Sequence, residues 1–170
     1  NSLFDHGASS AIGAIAVAPS RPDTIYIGGG QPEPRYDVQA GRGVYRTTDG
    51  GKTWSDLGLA DTKYIGRIWV DPRNADTLLV AAVGHLFGPS EARGVYRSTD
   101  GGKSFEVFGD GLPAEHAYDL IYRHSLEVDA TGETLVMGST TGSLWISEDA
   151  GEHWTSVAPN LPPIHFTRFV

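Results

Sequence analysis

Three groups of residues in this chain combine side-chain types that could do chemistry at short range. Glu33, Arg35, Tyr36 and Asp37 put acid, base and aromatic within five positions, as a sugar or peptide site would; the alternative is a solvated loop. Glu115, His116 and Asp119 could form an acid/base set, or could face solvent and cap a turn. Arg67, Arg123, His124 and Arg168 are spaced so that they could fall on or near successive inner strands. There they would line a common channel and hold a carboxylate or another anion, unless each pairs with a neighbouring acid. His85, next to Leu86 and Phe87, has no second ligand at zinc spacing and reads as a packed loop histidine. No catalytic residue, metal or cofactor is expected.

Positioning those groups falls to a pattern that recurs three times. Thr47-Thr48-Asp49-Gly50-Gly51-Lys52-Thr53-Trp54 returns as Ser98-Thr99-Asp100-Gly101-Gly102-Lys103-Ser104-Phe105 and as Ser147-Glu148-Asp149-Ala150-Gly151-Glu152-His153-Trp154. The aspartates are 51 and then 49 residues apart, a period that marks a repeat architecture. In each copy an extended run leads into a polar turn and out through an aromatic, which predicts a β-hairpin. Asp49, Asp100 and Asp149 would accept hydrogen bonds from turn N–H groups, and Gly51, Gly102 and Gly151 would supply positive φ. Trp54, Phe105 and Trp154 would fold back onto the sheet. A phosphate-binding loop is excluded, because Arg46 and Arg97 stand where its first glycine must be and a strand follows instead of a helix. An EF-hand is excluded because the turns lack its alternating oxygen ligands.

Upstream of each hairpin the pattern extends to two more strands. Residues 11–19 match 64–72, second strands are expected at 24–28 and 77–83, and the third repeat places strands near 123–128, 134–138, 143–147 and 153–157. Four strands per repeat predicts an all-β chain of four-stranded antiparallel blades, three of them, over about 11–58, 64–109 and 118–158, in one partial β-propeller spanning 1–170. Residues 1–10 read as the tail of a preceding outer strand, and Ile164–Val170 as one extra strand. Alternation then puts the loops after each second strand, and those between blades, on the rim opposite the repeated turns.

Composition narrows the classes. Of 170 residues, 22 are Gly and 10 are Pro with 39% hydrophobic, which suits many short strands joined by turns. Thirteen basic against 21 acidic residues give a formal charge of −8, against a nucleic-acid partner. No apolar run is long enough to span a bilayer as a helix, so no membrane partner is expected. Without cysteine there is no disulfide framework, which leaves the compartment open, secreted or periplasmic included. The start at Asn1 suggests a mature or excised piece.

The spacing Ser/Thr-x-Asp-x-Gly-x-x-aromatic resembles the Asp-box, or BNR repeat, of sialidase-like and sortilin-like β-propellers. Residues 11–105, through Ile65-Gly66-Arg67-Ile68 and Gly84-His85-Leu86-Phe87-Gly88-Pro89, resemble bacterial sortilin-like BNR proteins. Residues 106–170, through Gly111-Leu112-Pro113, Tyr122-Arg123-His124 and Leu161-Pro162-Pro163-Ile164, resemble bacterial sialidase-like BNR glycosyl hydrolases. The resemblance implies structural Asp-box residues and a β-propeller. The Phe/Tyr-Arg-Ile-Pro motif of sialidases is missing, with Gly66-Arg67-Ile68-Trp69 its nearest string. The expectation is therefore a non-catalytic module for binding and assembly, with a carbohydrate or peptide ligand. The alternatives are a fragment or relative of a glycoside hydrolase and an engineered propeller built from natural blades. Propellers typically close with about four to eight blades, so three imply a homo-oligomer, a dimer in the first place, or a complementary fragment.

Overall fold

The computed structural model describes residues 11–32, 37–113, 119, 121 and 124–170. They form three four-stranded antiparallel sheets, each in simple sequential order. Blade 1 comprises β1 (Ile12–Val17), β2 (Ile25–Gly29), β3 (Val44–Thr47) and β4 (Ser55–Asp56). Blade 2 comprises β5 (Ile65–Val70), β6 (Leu78–Ala82), β7 (Gly94–Ser98) and β8 (Glu106–Phe108). Blade 3 comprises β9 (Leu126–Val128), β10 (Leu135–Gly138), β11 (Leu144–Ser147) and β12 (Thr155–Ala158). A 3-10 turn, Ala60–Thr62, bridges the first two blades.

Alternation along each strand sends successive side chains to the two neighbouring blades. In blade 2, Ile68, Val70, Leu78, Val80 and Tyr96 pack with Ala14, Tyr26 and Val44 of blade 1. The interleaved residues Leu79, Ala81, Val95 and Phe108 pack with Leu126, Leu135, Met137 and Trp145 of blade 3. Buried on both faces, β6 has no polar residue at all, whereas the outermost β4 consists of the exposed Ser55 and Asp56. The second strand of each blade thus lies deep, and each fourth strand is mostly exposed.

Two outcomes differ from the sequence expectation. Ile164–Val170 forms no ladder, although it lies extended against blade 3, where the N–H groups of Ile164 and Thr167 donate to the carbonyls of Ser139 and His124. It has the posture of an inner strand: Ile164 occupies the space above Gly138 just as Ile65 occupies the space above Gly28. Among the described residues no strand pairs with it. The aromatic residues of the three turns also part company, since Trp154 is 4% exposed while Trp54 and Phe105 are only half-buried.

Candidate functional site: the loop rim between the second and third blades

The repeated turns occupy one end of the sheets and are closed hydrogen-bonded units. Asp49 Oδ1 accepts from Thr47 Oγ1 at 2.7 Å and from the N–H groups of Lys52 and Thr53 at 2.9 Å, while Oδ2 accepts from Thr53 Oγ1 at 2.7 Å. Asp100 repeats this set with Ser98, Lys103 and Ser104. In the third turn His153 replaces the hydroxyl, its N–H donating to Asp149 Oδ1 at 2.9 Å and its Nδ1 lying 2.6 Å from Oδ2. The hydroxyl and backbone N–H of Thr53 and of Ser104 hold Asp49 and Asp100 far below the usual carboxylate range. The backbone and ring of His153 bring Asp149 to about 2. A carboxylate held this way is a poor proton acceptor, so these residues fasten hairpins. The left-handed conformation required of the turn's fifth residue, φ 91° at Gly51, accounts for its glycine.

The loops gather at the other end. Gln31 N–H donates to Gln39 O and Gly41 N–H to Lys63 O, tying the β2–β3 loop to the link between blades 1 and 2. In blade 2 the corresponding loop is wrapped around Arg93, whose guanidinium donates to the carbonyls of Val83 at 2.8 Å, His85 at 2.6 Å and Gly88 at 3.1 Å. Burial lowers the Arg93 pKa, against the opposing charge of Asp119. Asp119 accepts a hydrogen bond from Thr141 Oγ1, which is itself 2.8 Å from Ser139 Oγ. The link after blade 2 is thereby joined to the β10–β11 turn of blade 3.

Between these loops lies a cavity of about 300 Å³. Val95, Phe108, Leu112, Met137 and Trp145 are among its apolar lining, and Ser90, Glu91, Arg93 and Asp119 are its polar lining. An apolar bed with a few convergent polar groups is the usual composition of an organic-ligand site.

The structure separates the residue groups singled out from the sequence. Asp119 reaches the cavity, and Asp37 lies exposed on the blade 1 loop; Glu33, Arg35, Tyr36, Glu115, His116 and Arg123 lie outside the described residues. Arg67 is on the inner strand β5 as expected, but its guanidinium lies 3.8 Å from Glu127 on β9, so its charge is largely met by a neighbouring acid. His124 and Arg168 are exposed. His85 is exposed as well, and its Nδ1 accepts the N–H of Phe87 at 3.3 Å. Among the described residues no cluster of acids and histidines could hold a metal ion, and no helix is long and apolar enough to cross a membrane. Sequence reasoning places the loop from His85 to Arg93 on the ligand rim but gives no role to Arg93 itself or to Trp145. Arg93 ends a Gly-Pro-containing loop and faces its carbonyls, a relation that no local motif announces.

Comparison with known proteins fits this geometry. The BNR/Asp-box repeat model matches residues 45–56, the first of the three hairpins. A xyloglucanase of Hypocrea jecorina is 27% identical over 91% of the chain, and the chain spans 21% of that protein. Among solved structures, the GH74 xyloglucanase from Xanthomonas campestris superposes with a TM-score of 0.60 at 23% identity, over 91% of this chain and 24% of that one. YCF48 from Cyanidioschyzon merolae gives 0.59 at 16% identity, over 92% and 42%. The chain thus spans about a fifth to two fifths of proteins that share its fold. With the repeated turn, the sequential four-stranded sheets and these likenesses together, the chain carries the Asp-box repeat and has the β-propeller fold.

Proposed function

We propose that this chain is a polysaccharide-binding segment of a glycoside-hydrolase-like propeller, in which the cavity between blades 2 and 3 seats one unit of a substituted glucan of the xyloglucan class. The observation that carries the reading is the composition of that cavity, an apolar lining that includes Phe108, Met137 and Trp145 together with the hydrogen-bonding groups of Ser90, Glu91, Arg93 and Asp119. A sugar ring has the matching anatomy, with C–H groups on its faces and hydroxyls around its rim. The likeness to xyloglucanases supports the choice of polymer. Binding is favoured over catalysis because the Asp-box carboxylates are consumed by their own turns and Asp119 is engaged by Thr141.

A second reading rests on Glu91 and Asp119, two carboxylates on the edge of one cavity, as glycoside hydrolysis requires. Calorimetric titration with xyloglucan oligosaccharides and a reducing-sugar assay separate the two. The binding reading expects saturable binding without release of reducing ends, and weaker binding in Val107→Asp, which puts a charge on an exposed apolar wall residue. Absence of binding at millimolar oligosaccharide, or binding indifferent to Val107→Asp, refutes the site. Turnover abolished by both Glu91→Gln and Asp119→Asn replaces the first reading with the second.

A further inference from the structure

Three Asp-Gly steps occur in the chain, Asp49-Gly50, Asp100-Gly101 and Asp110-Gly111. At such a step a side-chain carboxyl can react with its own main chain, because the glycine has no Cβ to obstruct the following nitrogen. The structure holds the three steps very differently.

At the first two the reaction is blocked from both sides. Both carboxylate oxygens of Asp49 are engaged by Thr47, Lys52 and Thr53, and those of Asp100 by Ser98, Lys103 and Ser104. The nitrogens are engaged as well: Gly50 N–H donates to Asp23 O at 3.0 Å, and Gly101 N–H to Asp76 O at 2.8 Å. To bring carboxyl and nitrogen together, either turn has to give up charge-assisted hydrogen bonds.

Asp110-Gly111 lies in the link that leaves β8, without that restraint. Its carboxylate is 75% exposed, and the partner the structure gives it is His153 Nε2 at 3.4 Å. In this turn Leu112 N–H donates to Gly109 O and Trp154 N–H to Asp110 O, while Gly111 N–H makes no backbone hydrogen bond among the described residues. Gly111 stands at φ 82° against the Trp154 carbonyl, where a Cβ would clash. The His153 ring is open to water, with Nδ1 2.6 Å from Asp149. Asp149, Asp110 and Glu152, the last paired with Arg97, are the charged groups that face it. The hydrogen bond to Asp149 and these charges raise its pKa above the ordinary 6.5, which favours a proton on the ring near neutral pH.

We propose that Asp110-Gly111 is a self-modification site, which rearranges to an isoaspartyl linkage with His153 as its proton donor. The Gly111 nitrogen attacks Asp110 Cγ, so that an N–Cγ bond forms and one Cγ–O bond breaks. That oxygen leaves as water, taking the amide proton and the proton held on His153 Nε2, and a five-membered imide ring closes. Water then adds to the Asp110 main-chain carbonyl carbon, whose bond to Gly111 N breaks. A carboxylate remains there, the main chain runs through Cγ, and the released proton returns to His153. The sum is an isomerisation with no co-reactant but water. It lengthens by one carbon the link that carries Leu112 to the cavity and whose Asp110 carbonyl accepts the Trp154 N–H.

The test incubates the 170-residue chain near neutral pH, folded and in urea. Peptide mapping with electron-transfer fragmentation, which separates isoaspartyl from aspartyl linkages, follows each Asp-Gly step. In the folded chain isoaspartate is expected to form at Asp110 at least about tenfold faster than at Asp49 or Asp100, the factor for one charge-assisted hydrogen bond. In urea the three rates are expected to converge. His153→Gln is expected to slow Asp110 in the folded chain only. The ratio of folded to unfolded rates at Asp110 should fall in the parent as pH rises through the His153 pKa, and stay level in that variant. Equal rates at the three steps of the folded chain overturn the proposal. So does a preference for Asp110 that persists in urea, which would belong to the local sequence. A folded rate in His153→Gln equal to the parent's overturns it too, because the ring would then have no part in the reaction.

Discussion

Replacing Arg46, which reaches from β3 of blade 1 to Asp76 and Gly101 of blade 2, with alanine tests whether such arginines hold the blades together. Its side chain is 14% exposed, and three partners are lost at once: the Asp76 carboxylate, Gly101 O and the face of Tyr26, whose centroid lies 5.5 Å from the guanidinium carbon. A hydrogen bond to a charged group contributes about 1.5–3 kcal/mol and a partly exposed cation–π contact about 0.5–1. Against this, Arg46 Nε is buried without an acceptor, and Asp76 keeps Arg21 after the change. The expected loss is therefore in the lower part of the range, about 2 kcal/mol. Arg21, 50% exposed and bound to the same carboxylate, provides the control, since an exposed pair contributes only about 0–1 kcal/mol. Urea unfolding of Arg46→Ala, Arg21→Ala and the parent, followed by tryptophan fluorescence, measures both. Equal midpoints for the two variants would refute the argument that burial and the second partner at Gly101 make Arg46 the stronger clamp.

Two further outcomes follow from the Asp-box turns. Trp154→Ala should cost about 3–5 kcal/mol because the ring is enclosed in the core shared by blades 2 and 3, while Trp54→Ala should cost clearly less, the ring being half-buried; equal losses in urea unfolding would contradict this. The third turn should also respond on the alkaline side, where the first two, closed by the hydroxyls of Thr53 and Ser104, should not. Asp149 lies below its ordinary 3.8, so its contribution is present above about pH 4 and lost as pH falls through about 2. His153 is raised above 6.5, chiefly by its hydrogen bond to Asp149, so its contribution is present below that value and lost as pH rises through the folded value. His153→Thr, which copies Thr53, should remove the alkaline limb from a plot of melting temperature against pH; an unchanged limb would place its origin elsewhere.

The repeated turns were legible in the sequence because they are local. Every bond that fastens Asp49 joins residues two to four positions apart, from Thr47 Oγ1 to Thr53 N–H, so the octet alone determines the hairpin and its recurrence determines the number of blades. Strand alternation was legible for the same reason, and it set the loops on the rim opposite the turns. Contacts between blades were not. Arg46 and Gly101 are 55 positions apart, and Arg67 with Glu127, or Arg93 with Asp119, meet only because the blades pack at one angle and register. The sequence left Arg67 as either a channel cation or the partner of a neighbouring acid, and only tertiary structure put Glu127 beside it. The extended run before each of the first two turns ends in Arg46 or Arg97 and the turn residues that follow, yet that arginine is an inter-blade clamp, a role that depends on which turn the neighbouring sheet brings within reach. Local hydrogen bonding is written into adjacent residues, whereas the cavity and the inter-blade clamps arise from how finished sheets stack, and only the tertiary structure decided them.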